Sequence, residues 1–181
     1  MESKMQTYFK DLESKDKTVQ YEAYNHIMEA TRKEVDWAYE VWDSLIDDLT
    51  NKDNHRRSRA AQFLANLAIS DPEGKMLNDF RKVWMVTMDP KFVTARHSLQ
   101  SIWRVGLAGR KQKEVVIESF VHRFHNCTDE KNYTLIRYDI IQGLKNLYEA
   151  TKDEEIKQMA LELIEVEEDS KYKKKYKGVW K

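Results

Sequence analysis

The sequence predicts an all-α protein made of repeated helix pairs, and two observations predict it: the composition and an internal repeat. The 181 residues include only 5 Gly and 2 Pro, too few turn-forming residues for an all-β sandwich or barrel. The hydrophobic content of 41% is too high for a disordered chain. At roughly 100–200 residues per domain, the length indicates a single domain, 1–181, with a sizeable core.

The internal repeat defines the predicted units. An offset of 37 residues superimposes four identical pairs, which are Asp11 and Asp48, Leu12 and Leu49, Lys15 and Lys52, and Asp16 and Asp53. The series continues more loosely, with marker aspartates at Asp16, Asp53, Asp89 and Asp129. Their steps of 37, 36 and 40 residues suit a unit of helix, short turn and helix. We predict units over about 2–34, 35–71, 72–109 and 110–150, and a C-terminal helical cap over 151–181.

Local patterns predict the helices of the first two units. The offset carries Ala23 of the first unit onto Ala60 of the second. A spacing of about 100° per residue predicts an amphipathic helix over 36–49. Its apolar face holds Trp37, Val41, Trp42, Leu45, Ile46 and Leu49. The second helix of this unit ends near Pro72, because the residue before a proline avoids the helical conformation.

The later units follow the same plan. The third unit has Asp89 and Pro90 in its internal turn, and the fourth pairs one apolar helix that includes Phe120 with another that includes Ile140. A further helix begins at Asp153, where the following two glutamates suit the positive end of the helix dipole. No stretch alternates with period two for long enough to predict a strand.

The second unit resembles a HEAT repeat, and the likeness extends over about residues 5–165. HEAT units often place an aspartate in the inter-helix turn and a basic residue six positions later, as Asp53 and Arg59 do. The other units depart from this pattern, since Asp16 is followed at that distance by Glu22, and a regular Asp–Arg ladder is not expected. The resemblance implies a right-handed α-solenoid of about four antiparallel helix pairs, and it identifies a scaffold without a reaction.

Charge is balanced overall and uneven along the chain. Thirty-one Lys and Arg against 31 Asp and Glu disfavour a dedicated nucleic-acid binder, which usually shows a basic excess. Residues 1–50 carry net −6 and residues 51–149 carry net +6. The basic residues of this middle segment include Arg56, Arg57, Arg59, Arg81, Lys82, Arg96, Arg104, Arg110, Lys111 and Lys113. We expect them to project in several directions rather than form one patch.

Catalytic and ligand-binding signatures are absent from the sequence. No glycine-rich phosphate loop, G-x-S-x-G, H-E-x-x-H or C-x-x-C motif occurs, and no cofactor is expected. A lone Cys127 excludes an internal disulfide, and no apolar run suits a membrane span, so we expect a cytoplasmic protein. His122, His125, Cys127 and Asp129 form a metal-like cluster, which we interpret as helix-end residues rather than a metal site. The acidic stripe Asp36, Glu40, Asp43 and Asp47 is interpreted as a solvated face.

The C-terminal tail interleaves lysines with aromatic residues. Tyr172, Tyr176 and Trp180 recur at helical spacing, which favours a cap whose rings pack inward and whose lysines face water. A ligand-binding arm is the alternative, because lysine–aromatic patterns also contact single-stranded nucleic acid.

The leading functional hypothesis is a non-enzymatic interaction module that binds a peptide or another protein on the concave surface of the second helices. The repeat alignment predicts a polar ridge there, formed by Glu22, Asn25, Glu29, Arg59, Gln62, Asn66, His97, Ser101, Tyr138 and Gln142. Amides, hydroxyls and charges of both signs fit protein recognition better than phosphate binding. Two alternatives remain: a nucleic-acid-binding protein related to the HEAT-like DNA glycosylases, and a structural subunit of a larger complex. A ridge with one arginine against two glutamates disfavours the first.

Overall fold

A computed structural model describes residues 3–181, and within them it contains ten α-helices and no strand. The helices are α1 (Ser3–Asp11), α2 (Lys17–Ala30), α3 (Ala38–Asp48), α4 (Asn54–Leu67), α5 (Lys75–Val86), α6 (Phe92–Ser101), α7 (Arg110–Asn126), α8 (Tyr133–Thr151), α9 (Glu154–Val166) and α10 (Ser170–Val179). Short 3-10 segments follow α4 at Ala68–Ser70 and α6 at Ile102–Leu107. The all-α prediction is confirmed for these residues.

Aspartate carboxylates accept backbone N–H groups at the start of several helices. Asp16 and Asp53 are the N-caps of α2 and α4, where each carboxylate accepts a backbone N–H two residues later at 2.8 Å. Asp153 caps α9 in the same way, and Asp89 accepts the N–H of Lys91 just before α6. Such caps satisfy helix N–H groups that have no partner within the helix. The fourth marker does not act so: Asp129 is exposed, and α8 starts after Asn132.

The helices pack in pairs and in two rows. Contacts join α1 to α2, α3 to α4, α5 to α6, and α7 to α8. The second helices α2, α4, α6 and α8 contact one another in that order, and so do α3, α5, α7 and α9. One core cluster includes side chains of both rows, among them the fully buried Trp42, Phe63 and Phe120. The predicted ranges follow the same order of pairs, but α8 ends at Thr151, one residue beyond the range 110–150, and position 2 lies outside the described residues.

Ion pairs tie successive second helices to one another. The Nε of Arg57 on α4 lies 2.6 Å from Oδ2 of Asp89, just before α6. The Nε of Arg96 on α6 lies 2.8 Å from Oδ2 of the buried Asp139 on α8. Burial raises the pKa of Asp89, but its hydrogen bonds from Arg57 and the Lys91 N–H outweigh burial and leave the pKa lowered.

Helix α10 covers the C-terminal end of the row of second helices. Helix α10 packs on α8 and α9, and the fully buried Tyr176 donates from its hydroxyl to the carbonyl oxygen of Thr134 at 2.8 Å. Just before α10, Glu167 accepts from Nη1 of the buried Arg137 at 2.9 Å. The predicted inward packing of the tail is therefore confirmed for Tyr176, while Trp180 is half-buried. Among residues 3–181, no helix is long and apolar enough to cross a membrane.

Candidate interaction surface

The ten residues of the predicted ridge lie on α2, α4, α6 and α8, and their exposure differs. The exposed ones are Glu22, Asn25, Glu29 and His97, the partly exposed ones are Arg59, Ser101, Tyr138 and Gln142, and the buried ones are Gln62 and Asn66. An open polar ridge along all four second helices is therefore not present. On α4, Gln62 and Asn66 are covered.

The expectation that Gln62 and Asn66 face solvent is wrong, and the cause is the close packing of α2 on α4. Gln62 is 6% exposed, and its Oε1 accepts from the Tyr24 hydroxyl at 2.7 Å. Asn66 is fully buried, and its Nδ2 donates to Thr31 Oγ1 at 3.0 Å. Both amides thus hold two units together, since buried polar groups need hydrogen-bond partners.

The 3-10 segment after α6 also covers the C-terminal part of α4. It packs against α4 and against the 3-10 turn that follows α4. Within it, Nη2 of Arg104 donates to the carbonyl oxygen of Arg32 after α2, at 3.3 Å. Burial, and the nearby charge of Arg32, lower the pKa of Arg104. The C-terminal half of α4 is consequently buried on all sides.

Towards the C-terminus the row of second helices stays open and continues onto α10. Lys175 on α10 places its Nζ 4.8 Å from the ring centroid of Tyr138 on α8, within the range of a cation–π contact. Gln142 lies one helical turn further along α8 and is partly exposed. We call this region the α8–α10 surface, defined by Tyr138, Gln142, Lys171, Lys174 and Lys175. In the sequence the ridge and the tail are separate features, and the packing of α10 on α8 joins them.

The lysines of α10 fall into two groups. Lys173 and Lys177 face α9, where their Nζ atoms lie 3.5 and 2.7 Å from the carboxylate of Glu165. Lys171, Lys174 and Lys175 form no ion pair within the described part of the chain. Like charges so close together attract a negatively charged ligand.

Most basic residues of the middle segment, by contrast, have carboxylate partners within the chain. The observed pairs are Arg56 with Glu13 and Asp48, Arg57 with Asp89, Lys82 with Asp79, Arg96 with Asp139, Arg110 with Glu114, and Lys113 with Asp153. These pairs lie on different helices, so they do not combine into one cationic patch.

The metal-like cluster does not converge. His122, His125 and Asp129 are exposed, whereas Cys127 is buried and its Sγ lies 3.7 Å from the carbonyl oxygen of Phe124. Burial raises the pKa of the Cys127 thiol, although neighbouring arginines oppose the shift. No group of three or more potential metal ligands occurs among residues 3–181. The acidic stripe Asp36, Glu40, Asp43 and Asp47 is exposed along its length.

An apolar cleft between α5 and α7 was missed by sequence analysis. It measures about 390 Å³ and is lined by Trp84 of α5, by Met88 in the turn after α5, and by Glu118, Ser119, His122, Arg123 and Asn126 of α7. Leu77 and Met85 of α5 are exposed as well. The signal was present in α5, which carries apolar residues on two faces: Met76, Phe80 and Val83 inward, and Leu77 and Met85 outward.

The fold and the surfaces define an all-α protein of paired helices. No protein-family model matches the chain, and no curated protein matches its sequence. Its exposed surfaces are therefore what indicates its function.

Proposed function

We propose that the protein is a non-enzymatic interaction module, a right-handed HEAT-like α-solenoid that binds an acidic peptide segment of another protein on the α8–α10 surface. The observation that carries this proposal is the group of exposed lysines without carboxylate partners on α10, Lys171, Lys174 and Lys175, of which Lys175 lies over the ring of Tyr138 on α8. The pairwise helix contacts and the two rows of helices support the solenoid arrangement.

The chemistry of the α8–α10 surface favours a peptide ligand. Lysine ammonium groups attract carboxylates at long range, which speeds association. The Tyr138 hydroxyl and the Gln142 amide supply hydrogen bonds that an extended backbone can accept or donate. Because the site is exposed, its charge interactions are screened within about 8–10 Å at moderate salt. The expected complex is therefore weak and salt-sensitive.

The arginines of the middle segment do not support the nucleic-acid alternative. A backbone-binding groove needs several free cations in a row, and Arg57 and Arg96 each bind a buried or nearly buried carboxylate. The unpaired lysines of α10 suit a nucleic-acid backbone as well as a peptide, so the oligonucleotide arm of the test separates the two ligand classes. The structural-subunit alternative would need an exposed apolar patch at an end of the array. Three of the exposed large apolar side chains, Leu77, Met85 and Met88, lie instead in the third helix pair, and Tyr21 of α2 and Leu161 and Val166 of α9 are the ones nearer the ends.

The test uses a fluorescein-labelled peptide of twelve glutamates and measures its fluorescence anisotropy at low salt. We expect saturable binding that weakens about tenfold or more in Lys171→Ala/Lys175→Ala. The matched control is Lys173→Ala/Lys177→Ala, which removes the same charge from the face that binds Glu165 and should change the affinity little.

Three outcomes would overturn the proposal. One is no binding by the wild-type protein at low salt. Another is equal weakening by both double variants, which would indicate a response to net charge rather than to a site. The third is tighter binding of a single-stranded oligonucleotide than of the peptide, lost in Lys171→Ala/Lys175→Ala, which would favour the nucleic-acid hypothesis.

A further inference from the structure

One face of α5 exposes an apolar stripe that the proposed function does not use. Leu77, Met85 and Met88 are 39%, 54% and 37% exposed, and together they are three of the seven large hydrophobic side chains that are exposed within the described residues. At 100° per residue Leu77 and Met85 lie 80° apart around α5 with Arg81 between them, and Met88 follows in the turn after the helix. Clustered exposed apolar side chains of this kind mark interaction sites.

The α5–α7 cleft meets this stripe at Met88. Its apolar wall is Trp84, whose ring packs on Phe80 at 6.0 Å and on Phe120 at 6.1 Å between centroids. The wall from α7 is polar and includes Glu118 and Ser119. Because the aromatic wall is anchored in the core, the cleft is formed before any ligand arrives. The two exposed methionines have flexible side chains that adapt to a partner surface.

Two side chains of opposite charge near the cleft, one on each helix, form no ion pair within the described residues. Arg81 lies on the same face of α5, between Leu77 and Met85, and forms no ion pair within the described residues. Glu118 on α7 is exposed and also forms no ion pair there. Their neighbours are already paired, Lys82 with Asp79 and Arg123 with Glu130. The exposed face of α5 thus offers one free cation, Arg81, and the α7 wall of the cleft offers one free anion, Glu118.

We infer that this cleft is a self-association surface, occupied by α5 of a second copy of the chain in a two-fold dimer. In an isologous interface each patch meets its own copy, so a contact between two different residues occurs twice. A surface carrying an apolar stripe and both members of an ion pair satisfies this requirement. Arg81 of each copy faces Glu118 of the other, and the exposed methionines and Leu77 cover one another between the two ion pairs.

The dimer closes on itself, because a two-fold contact uses the patch on each copy completely. The patch is confined to one helix and one cleft, so the buried area is small and the association is weak and concentration-dependent. The α8–α10 surface belongs to other helices. Binding of the glutamate peptide is therefore retained when the dimer is disrupted, and the two proposals fail separately.

The test measures molecular mass by sedimentation equilibrium of the full chain from micromolar to millimolar concentration. We expect wild-type protein to shift towards the dimer mass as concentration rises, and Leu77→Lys to remain monomeric. The matched control is Leu161→Lys on α9, where the leucine is 38% exposed, and this variant should dimerise like the wild type. Far-ultraviolet circular dichroism establishes that each variant keeps its helical content.

A charge swap tests the pairing itself. Arg81→Glu and Glu118→Arg should each weaken dimerisation, because each places like charges opposite one another, and the double variant Arg81→Glu/Glu118→Arg should restore it. A wild-type protein that stays monomeric at every concentration overturns the inference and leaves the cleft to a different occupant. Loss of the dimer in Leu161→Lys, or failure of the double swap to restore it, overturns it as well.

Discussion

Replacing Tyr176 tests whether α10 is an integral part of the fold. The Tyr176 side chain is fully buried, its ring lies 6.4 Å from that of Phe124 and 6.5 Å from that of Tyr138, and its hydroxyl donates to Thr134. Tyr176→Ala removes a large buried ring and leaves a cavity, which costs about 3–5 kcal/mol for aromatic residues. Tyr176→Phe removes only the hydrogen bond, with a cost of about 0.5–1.5 kcal/mol.

The free energies of unfolding are obtained from urea titrations followed by far-ultraviolet circular dichroism. Both variants should lower the midpoint without a change in the slope, because the native surface exposed on unfolding is nearly the same. The expected order is wild type, Tyr176→Phe and then Tyr176→Ala. A loss below about 1 kcal/mol in Tyr176→Ala would refute the packing of α10 on α8, since a typical surface substitution has an effect of this size or less.

Three further predictions concern the cap, the buried amide and acid stability. Deleting residues 168–181 should lower the melting temperature or cause association, because it exposes apolar surface on α8; unchanged melting and elution would show that the tail is not a cap. Asn66→Ala should destabilise the protein by about 1–3 kcal/mol in urea titrations, since it removes the donor to the buried Thr31 hydroxyl, whereas Asn25→Ala on the exposed side of α2 should change stability by less than about 0.5 kcal/mol; equal effects would contradict the burial. The lowered pKa of Asp89 means that its ionised form stabilises the fold above its unfolded pKa of about 3.9 and that this contribution disappears as pH falls through the folded pKa. Asp89→Asn should therefore be less stable at pH 7 and lose less stability between pH 4 and pH 2 in thermal melts, and a pH dependence like that of the wild type would contradict the role of the ion pair.

The helical class and the positions of most helices were predictable because their causes are local. The helix predicted over 36–49 is Ala38–Asp48 in the structure, since apolar spacing reports on one face of one helix. The sequence predicted turns at Asp16 and Asp53 and a helix start at Asp153, and all three are N-caps, because a capping carboxylate binds N–H groups two or three residues away. Asp129 lies in the turn between α7 and α8, as its repeat position predicted, but it does not cap α8.

The candidate surface was predictable only in part. Tyr138 and Gln142 are partly exposed, as the repeat alignment suggested. Their continuation onto Lys175 was not predicted, because it requires α10 to lie beside α8, and these residues are far apart in the chain. The cleft beside Trp84 was missed for a similar reason, since a second apolar stripe on α5 becomes meaningful only when no neighbouring helix covers it.

Asn25 and Gln62 separate what the sequence determined from what the tertiary structure decided. The offset of 37 residues superimposes these two positions, and the sequence by itself determined that both belong to second helices. The tertiary structure decided that one faces water and the other is buried, because α4 has a helix on either side and the 3-10 segment with Arg104 over its end, whereas α2 is the first of the row. Helix formation depends on neighbours within four residues, but burial depends on which distant segments pack against the helix, and that is decided only when the whole chain has folded.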